Sequence, residues 1–302
     1  MEEKVYSLTS QTTQANLNAN IVRNLPILFP KSKLSQRKIA EILSTVDSVI
    51  EKTEGAIVKY LSVKQGMMQD FFTRGIDPKT GKLRPSQKDS PELYNETELG
   101  WIPKDWEKGK LGCYIKKNIY GPRFNAKDYS ENGNVRTIRG TDFTKDGDIL
   151  YSQCPIAELP TDLVNTHSLK HNDVIIVTTA DCGLTAVFEE QNWQYIPSAY
   201  TVKYRFDTIV NPYFVKYFMT TSEAKKQVEK YIRKGTIANL PGSDLFRFPF
   251  SRPSIKEQEA IVTRIKRVEG LIKKEQANLF KHQSLKKGLM QDLLTGKVEV
   301  KA

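Results

Sequence analysis

One stretch of this chain occurs twice, and that repeat limits the fold more than any other feature. Moving Gln36–Thr73 forward by 222 positions lays it on Gln258–Thr295 without a gap, and thirteen of the 38 pairs are identical. Gln36 meets Gln258, Ile39 meets Ile261, Val46 meets Val268 and Ile50 meets Ile272. Lys64-Gln65-Gly66-Met67-Met68-Gln69-Asp70 meets Lys286-Lys287-Gly288-Leu289-Met290-Gln291-Asp292. An unrelated stretch of domain size lies between. A chain ordered as element, domain, same element points to two-fold symmetry.

The repeated element reads as a long helix. Apolar residues at Ile39, Ile42, Leu43, Val46, Val49, Ile50, Ile57, Tyr60, Met67 and Phe71 recur in steps of three and four, and the second copy keeps the stripe from Ile261 to Leu293. Pro30 with Ser35, and Pro253 with Ser254, suit the two helix starts, and Gly75 and Gly296 suit the two stops. At about 1.5 Å per residue each rod is roughly 55–60 Å long. A lone helix with such a stripe needs a partner in water, and the nearest one is the other copy, antiparallel. A plain bundle or dimerisation zipper would satisfy the same pattern.

The 302 residues suffice for one globular domain besides the helices. No run of 18 apolar residues and no basic-then-apolar leader occurs, so neither a membrane span nor a secretory signal is expected. Cys113, Cys154 and Cys182 are odd in number and far apart, which favours a reducing cytoplasm over a zinc cluster or disulfide frame. The net charge of +11 points to a polyanion partner, yet residues 101–250 hold 20 basic and 17 acidic side chains. Positive charge there is local, around Lys116–Arg139 and Lys225–Lys234. That distribution suits selective reading of a nucleic acid rather than blanket adhesion.

Residues 1–20, rich in Thr, Gln and Asn, read as loosely ordered, and 76–100, with Pro78, Gly81, Pro85 and Pro91, as a linker. Between the helices, β-rich runs at Val135–Ile138, Val174–Thr178, Ala186–Phe188 and Ala199–Phe206 predict a mixed, sheet-dominated α+β domain with one helix over Pro212–Tyr231, capped by Asn211. Asn211-Pro212-Tyr213-Phe214 is like the Asn-Pro-Pro-Tyr/Phe loop of adenine methyltransferases, but it lacks the second Pro and a glycine-rich cofactor loop upstream. An Asn cap before Pro at the first helical position explains it more simply. His167 and His171 have the spacing of metal ligands, but no Glu follows His167, the stretch looks like a loop and strand entry, and they read as surface histidines. Asp292 with Glu299 and Lys301 faintly resembles a nuclease cluster at a terminus. Nothing argues for catalysis, a metal or a cofactor.

Four stretches carry a family resemblance. Leu99-Gly100-Trp101-Ile102-Pro103-Lys104-Asp105-Trp106 resembles the opening of a target recognition domain in specificity (S) subunits of type I restriction-modification systems. Lys234–Leu240, Phe248-Pro249-Phe250, Pro253 and Glu257-Gln258-Glu259-Ala260-Ile261 resemble its end running into a spacer helix. Ser35–Leu43 and Lys64–Asp70 resemble the conserved helix itself. The resemblance covers about residues 20–297. Full-length members carry two recognition domains and two spacer helices; here Leu25-Pro26-Ile27 and Pro30 echo Phe248-Pro249-Phe250 and Pro253. The chain therefore resembles a half subunit: remnant over 1–34, helix over 35–76, linker over 77–100, recognition domain over 101–252 and helix over 253–297.

The resemblance implies a non-catalytic subunit that selects the DNA target and scaffolds methyltransferase (M) subunits, which bind S-adenosylmethionine. A separate motor-nuclease (R) subunit uses ATP. The alternative is an adaptor or dimerisation protein that no longer reads DNA; an enzyme using the discounted motifs would be a methyltransferase or nuclease. DNA contacts are expected from Lys116, Lys117, Arg123, Arg136, Arg139, Thr141, Arg233, Lys234 and Thr236, because arginine grips a guanine edge with two hydrogen bonds and lysine favours phosphate. The matched polar residues Lys64, Gln69, Asp70, Lys286, Gln291 and Asp292 are expected to face partner subunits; a shared helix-stop motif would match them as well. Apolar residues across Ile21–Phe29 with no domain to bury them suggest a homodimer, or pairing with another S subunit.

Overall fold

The computed structural model describes residues 22–24 and 29–300, so the Thr/Gln/Asn-rich start and Ile21, Leu25, Pro26, Ile27 and Leu28 of the expected remnant lie outside the described residues. Two long helices, α1 (Lys33–Thr73) and α5 (Ile255–Leu294), carry the repeat. Ser32 caps α1, its hydroxyl accepting from the Ser35 amide, and Ser254 caps α5 the same way toward Glu257. Ser32 and Ser254 are again 222 apart, so the repeat includes its caps; the α1 cap is Ser32 rather than Ser35. Both helices end at a left-handed glycine, Gly75 (φ 65°) and Gly296 (φ 74°).

The chain divides into two compact units. The first comprises residues 1–60 and 271–302. There α1 and α5 run antiparallel: Lys286 pairs with Asp47 at 2.6 Å, and the Ser35 hydroxyl reaches the Val300 carbonyl at 3.4 Å. Ile39, Ile272 and Leu293 are buried, while Phe280, Leu285, Met290 and Leu294 are exposed.

The second unit comprises residues 61–270. Its centre is an antiparallel sheet in the order β4 (Ile115–Tyr120), β10 (Thr201–Phe206), β7 (Val174–Val177), β8 (Thr185–Val187); the other strands are β1 (Tyr94–Thr97), β2 (Gly100–Pro103), β3 (Glu107–Lys110), β5 (Val135–Ile138), β6 (Ile156–Ala157), β9 (Tyr195–Pro197) and β11 (Pro249–Arg252). All four β7 residues are buried because both faces of the sheet are covered. Val174 and Ile176 join the core formed by the end of α1, α3 (Pro212–Phe218), α4 (Ser222–Tyr231) and the start of α5. Ile175 and Val177 join a smaller core with Ile138, Phe188 and Tyr195. In the larger core Phe72 stacks on Phe214 with ring centroids 4.8 Å apart, and Phe250 meets Phe214 and Phe218 edge-on.

Three local expectations change. The helix expected over Pro212–Tyr231 is two helices. Thr220 and Thr221 turn their hydroxyls back to the Tyr217 and Phe218 carbonyls, and Thr221 caps α4 through the Ala224 amide. Asn211 does cap α3, accepting from the Tyr213 amide at 2.9 Å. The stretch before His167, expected to be loop, is the short helix α2 (Thr161–His167); His167 Nδ1 sits 3.0 Å from the Tyr120 carbonyl, and burial lowers its pKa. Finally, the segment read as linker is ordered. Asp77 closes a turn through the Lys79 amide and Thr80 hydroxyl, and Arg84 points inward. The Gly and Pro residues there shape turns rather than disorder.

One buried node ties this unit together. Glu257 Oε1 accepts from the Ile76 amide (2.7 Å), Arg84 Nη1 (2.6 Å) and Trp106 Nε1 (3.2 Å), and Arg84 Nη2 reaches Glu257 Oε2 and Asp105. Gly75 is required beside it, since a Cβ there would stand 2.3 Å from Glu257 Oε1.

Candidate nucleic-acid interface

The register of the central sheet sets which loops share an end. Tyr120 pairs with Val202, Thr201 with Val177, and Ile176 with Thr185. The loops after β4, before β10 and between β7 and β8 therefore leave from one edge. Two more join them. The Ser198 amide bonds to the Ile138 carbonyl, bringing in Arg139–Asp142. The Ala180 amide bonds to the Ala238 carbonyl and the Leu240 amide to the Thr178 carbonyl, bringing in residues 233–240. Gly121 is needed where these loops crowd, because a Cβ there would lie 2.1 Å from the Pro197 and Ser198 carbonyl oxygens.

The 233–240 segment is a tight loop whose base is closed by two backbone bonds between Arg233 and Asn239, at 2.8 and 3.2 Å. Across it, the β7–β8 loop holds Ala180 at φ 63°, a left-handed conformation that costs a non-glycine residue about 1–3 kcal/mol. The hydrogen bond to Ala238 offsets part of that cost. Such strain at an anchored loop tip is common where loop geometry serves binding.

This edge gathers several of the expected contact residues. Arg123, Thr141, Arg233, Lys234 and Thr236 are all exposed there. Arg139 is also at this edge, but its guanidinium is held bidentately by the buried Asp142 at 2.8 and 3.1 Å, and that hydrogen-bonded pairing raises its pKa. Arg136 lies on β5, stacked 5.2 Å over Trp193 and bonded to the Cys154 carbonyl. Lys116 and Lys117 stand toward the other end of β4, where Lys116 pairs with Asp207 at 3.1 Å and lowers that carboxyl's pKa. Sequence reasoning missed Tyr200 and Ile237, among the most exposed large side chains of this unit. Tyr200 was read into a strand that begins one residue later; Ile237 was visible as a lone aliphatic among Lys234, Gly235 and Thr236.

The matched polar residues of the helices have intrachain roles. Lys64 sits between Glu269 (3.0 Å) and Asp146 (3.3 Å), whose charges raise its pKa against the opposing effect of burial. Lys286 holds Asp47. Asp70 pairs with Arg74 and Asp292 with Lys297, while the Gln69 and Gln291 carbonyls accept from the Thr73 and Thr295 hydroxyls. The Thr hydroxyl bond and an Asp ion pair with a following basic residue thus recur near both helix ends. The Gln69 and Gln291 side chains remain exposed.

Among the described residues no helix is long and apolar enough to cross a membrane, and no group of three His, Cys, Asp or Glu side chains could hold a metal ion. The chain is similar to the MjaVIII type I restriction enzyme specificity subunit of Methanocaldococcus jannaschii, 25% identical over 99% of this chain and 68% of that protein. It is also similar to the putative MjaX specificity subunit of the same organism, 26% identical over 98% of this chain and 64% of the relative, so it spans about two thirds of these relatives' length. Among solved structures, the type I S subunit from M. genitalium superposes with a TM-score of 0.60 at 12% identity, over 97% of this chain and 69% of the other. A chain from a type I R-M system, described for its complex assembly and conformational transition, gives 0.56 at 15% identity over 97% and 67%. The sequence matches the family described as type I restriction modification DNA specificity domain over residues 1–59 and 103–280. That match takes in well over half of the residues, and the chain belongs to this family.

Proposed function

We propose that this chain is the non-catalytic, cytoplasmic subunit that chooses the DNA target of a type I restriction-modification assembly and scaffolds its methyltransferase and motor-nuclease subunits. The observation that carries this reading is the single sheet edge where five loops meet and three of them present Arg123, Thr141, Arg233, Lys234 and Thr236. Loops anchored through their backbones suit base reading because little loop ordering remains to be lost on binding. The domain's near-balanced charge means that contact would be local, with affinity set by a few phosphates and discrimination by base edges. Selection from a random-sequence duplex pool, followed by gel shift, tests the reading. One enriched motif, matching the methylated motif mapped in cells carrying the gene, is the expected result; equal retention of all sequences would reduce the chain to an adaptor.

The working form in this reading is a homodimer. In the first unit Met290 and Leu294 are exposed, whereas Met68 and Phe72, their repeat equivalents, pack against the core of the second unit. Apolar helix-end residues without cover, together with exposed Val22 and Phe29, favour a second chain. Pairing with another S subunit would cover the same residues.

A further inference from the structure

We propose that Ile237 is an apolar wedge that enters a base-pair step of the bound DNA and unstacks it, with Tyr200 packing on the displaced nucleotide. The inference rests on the DNA-reading function above and adds how the duplex is deformed. Ile237 is 63% exposed and Tyr200 59% exposed, and neither joins a core cluster. Tyr200 itself, and Ala238 beside Ile237, are tied at their backbones to residues 178–180. The Thr178 amide and hydroxyl each donate to the Tyr200 carbonyl at 2.9 Å, and the Ala180 amide donates to Ala238 next to Ile237.

An aliphatic side chain on a floppy loop would fold back onto the protein. Here the Arg233–Asn239 closure, with Thr179 bridged to Asn239, leaves Lys234–Ala238 as a small turn that exposes Ile237 beside the anchored Ala238. Exposed Lys234 at the base of the turn would neutralise a phosphate beside the point of insertion, leaving exposed Arg233 to reach a base edge next to it. Proteins that kink DNA join basic flanks to an inserted Ile, Leu, Phe or Met in this way, unstacking one step at a cost of a few kcal/mol. An aromatic ring on the neighbouring loop can stack on a base once it is unstacked.

The experiment uses the purified full chain and the duplex motif enriched in the selection above, with 2-aminopurine placed in turn at each adenine or adjacent position. Wild type should raise the fluorescence several-fold at one step. Ile237→Ser should return that signal to the level of free duplex, leave thermal unfolding unchanged, and keep the slope of binding against salt because the phosphate contacts remain. Tyr200→Ala should weaken the signal at the same step. Tight wild-type binding with no fluorescence rise, or a rise that survives Ile237→Ser, overturns the wedge while leaving DNA reading intact. Loss of affinity on replacing one thymine by uracil, without unstacking, would make Ile237 a methyl contact and also overturn it. Absence of any sequence-selective binding by wild type removes both the wedge and the DNA-reading function.

Discussion

Glu257 shows how much one residue can hold. It closes a charge pair with Arg84 that is buried on both sides, and it satisfies a backbone amide and an indole as well. Glu257→Ala would leave the Arg84 cation buried and short of acceptors, an arrangement that typically costs about 3–5 kcal/mol. Urea unfolding should show a loss of that size, and Arg84→Leu combined with Glu257→Leu should recover part of it. Lys203 makes a different case. Burial holds its ammonium below the ordinary lysine range, while Asp173 pulls the other way and Arg205, Lys117 and Lys170 add to the lowering. Its acceptors are the His167 and Ser168 carbonyls at the end of α2. A lysine with a depressed folded pKa binds fewer protons folded than unfolded, so stability rises as pH climbs from the folded value toward about 10.4. Urea midpoints of wild type should show that rise and those of Lys203→Met should not. None of these pairings was legible in the sequence. Arg84 and Glu257 are 173 positions apart, and composition made the first look like linker.

Elements were easier to read than partners. The helix repeat, its antiparallel pairing and the four main β runs follow from periodicity, because a stripe three or four residues apart and a β-branched run each have few ways to bury themselves. The break between α3 and α4 was missed because Phe218 and Val228 continue a helical pattern across a Thr-Thr-Ser run that competes locally for hydrogen bonds. Thr221→Ala should destabilise the protein by about 1 kcal/mol through loss of the α4 cap, seen as a lower urea midpoint. At the candidate interface, arginines were legible as arginines but not as free or committed. Arg139→Ala should lower stability, since Asp142 is 1% exposed and would lose its partner. Arg233→Ala should leave stability unchanged and relax target choice, with discrimination at one base falling by about 1–3 kcal/mol. Competition gel shifts with single-base variants, alongside urea curves for both proteins, separate the two roles.

For the whole molecule, two-fold assembly makes a claim about DNA. Two copies of one recognition domain related by a dyad would read inverted copies of one short sequence, so the target should be an interrupted palindrome. Light scattering on the purified chain and the methylated motif together check this; a monomer with an asymmetric motif contradicts it. Within the second unit, the Ile76 amide, just past the end of α1, lies 2.7 Å from Glu257 in the first turn of α5. The stretch between the two long helices therefore begins and ends at one doorway, framed by Gly75, Arg84 and Trp106. A cassette with closely spaced ends can be exchanged for another without re-spacing the helices that hold it. Under the proposed function, recombination within the gene would change the DNA address while inheriting the frame unchanged and replacing only what hangs in the doorway.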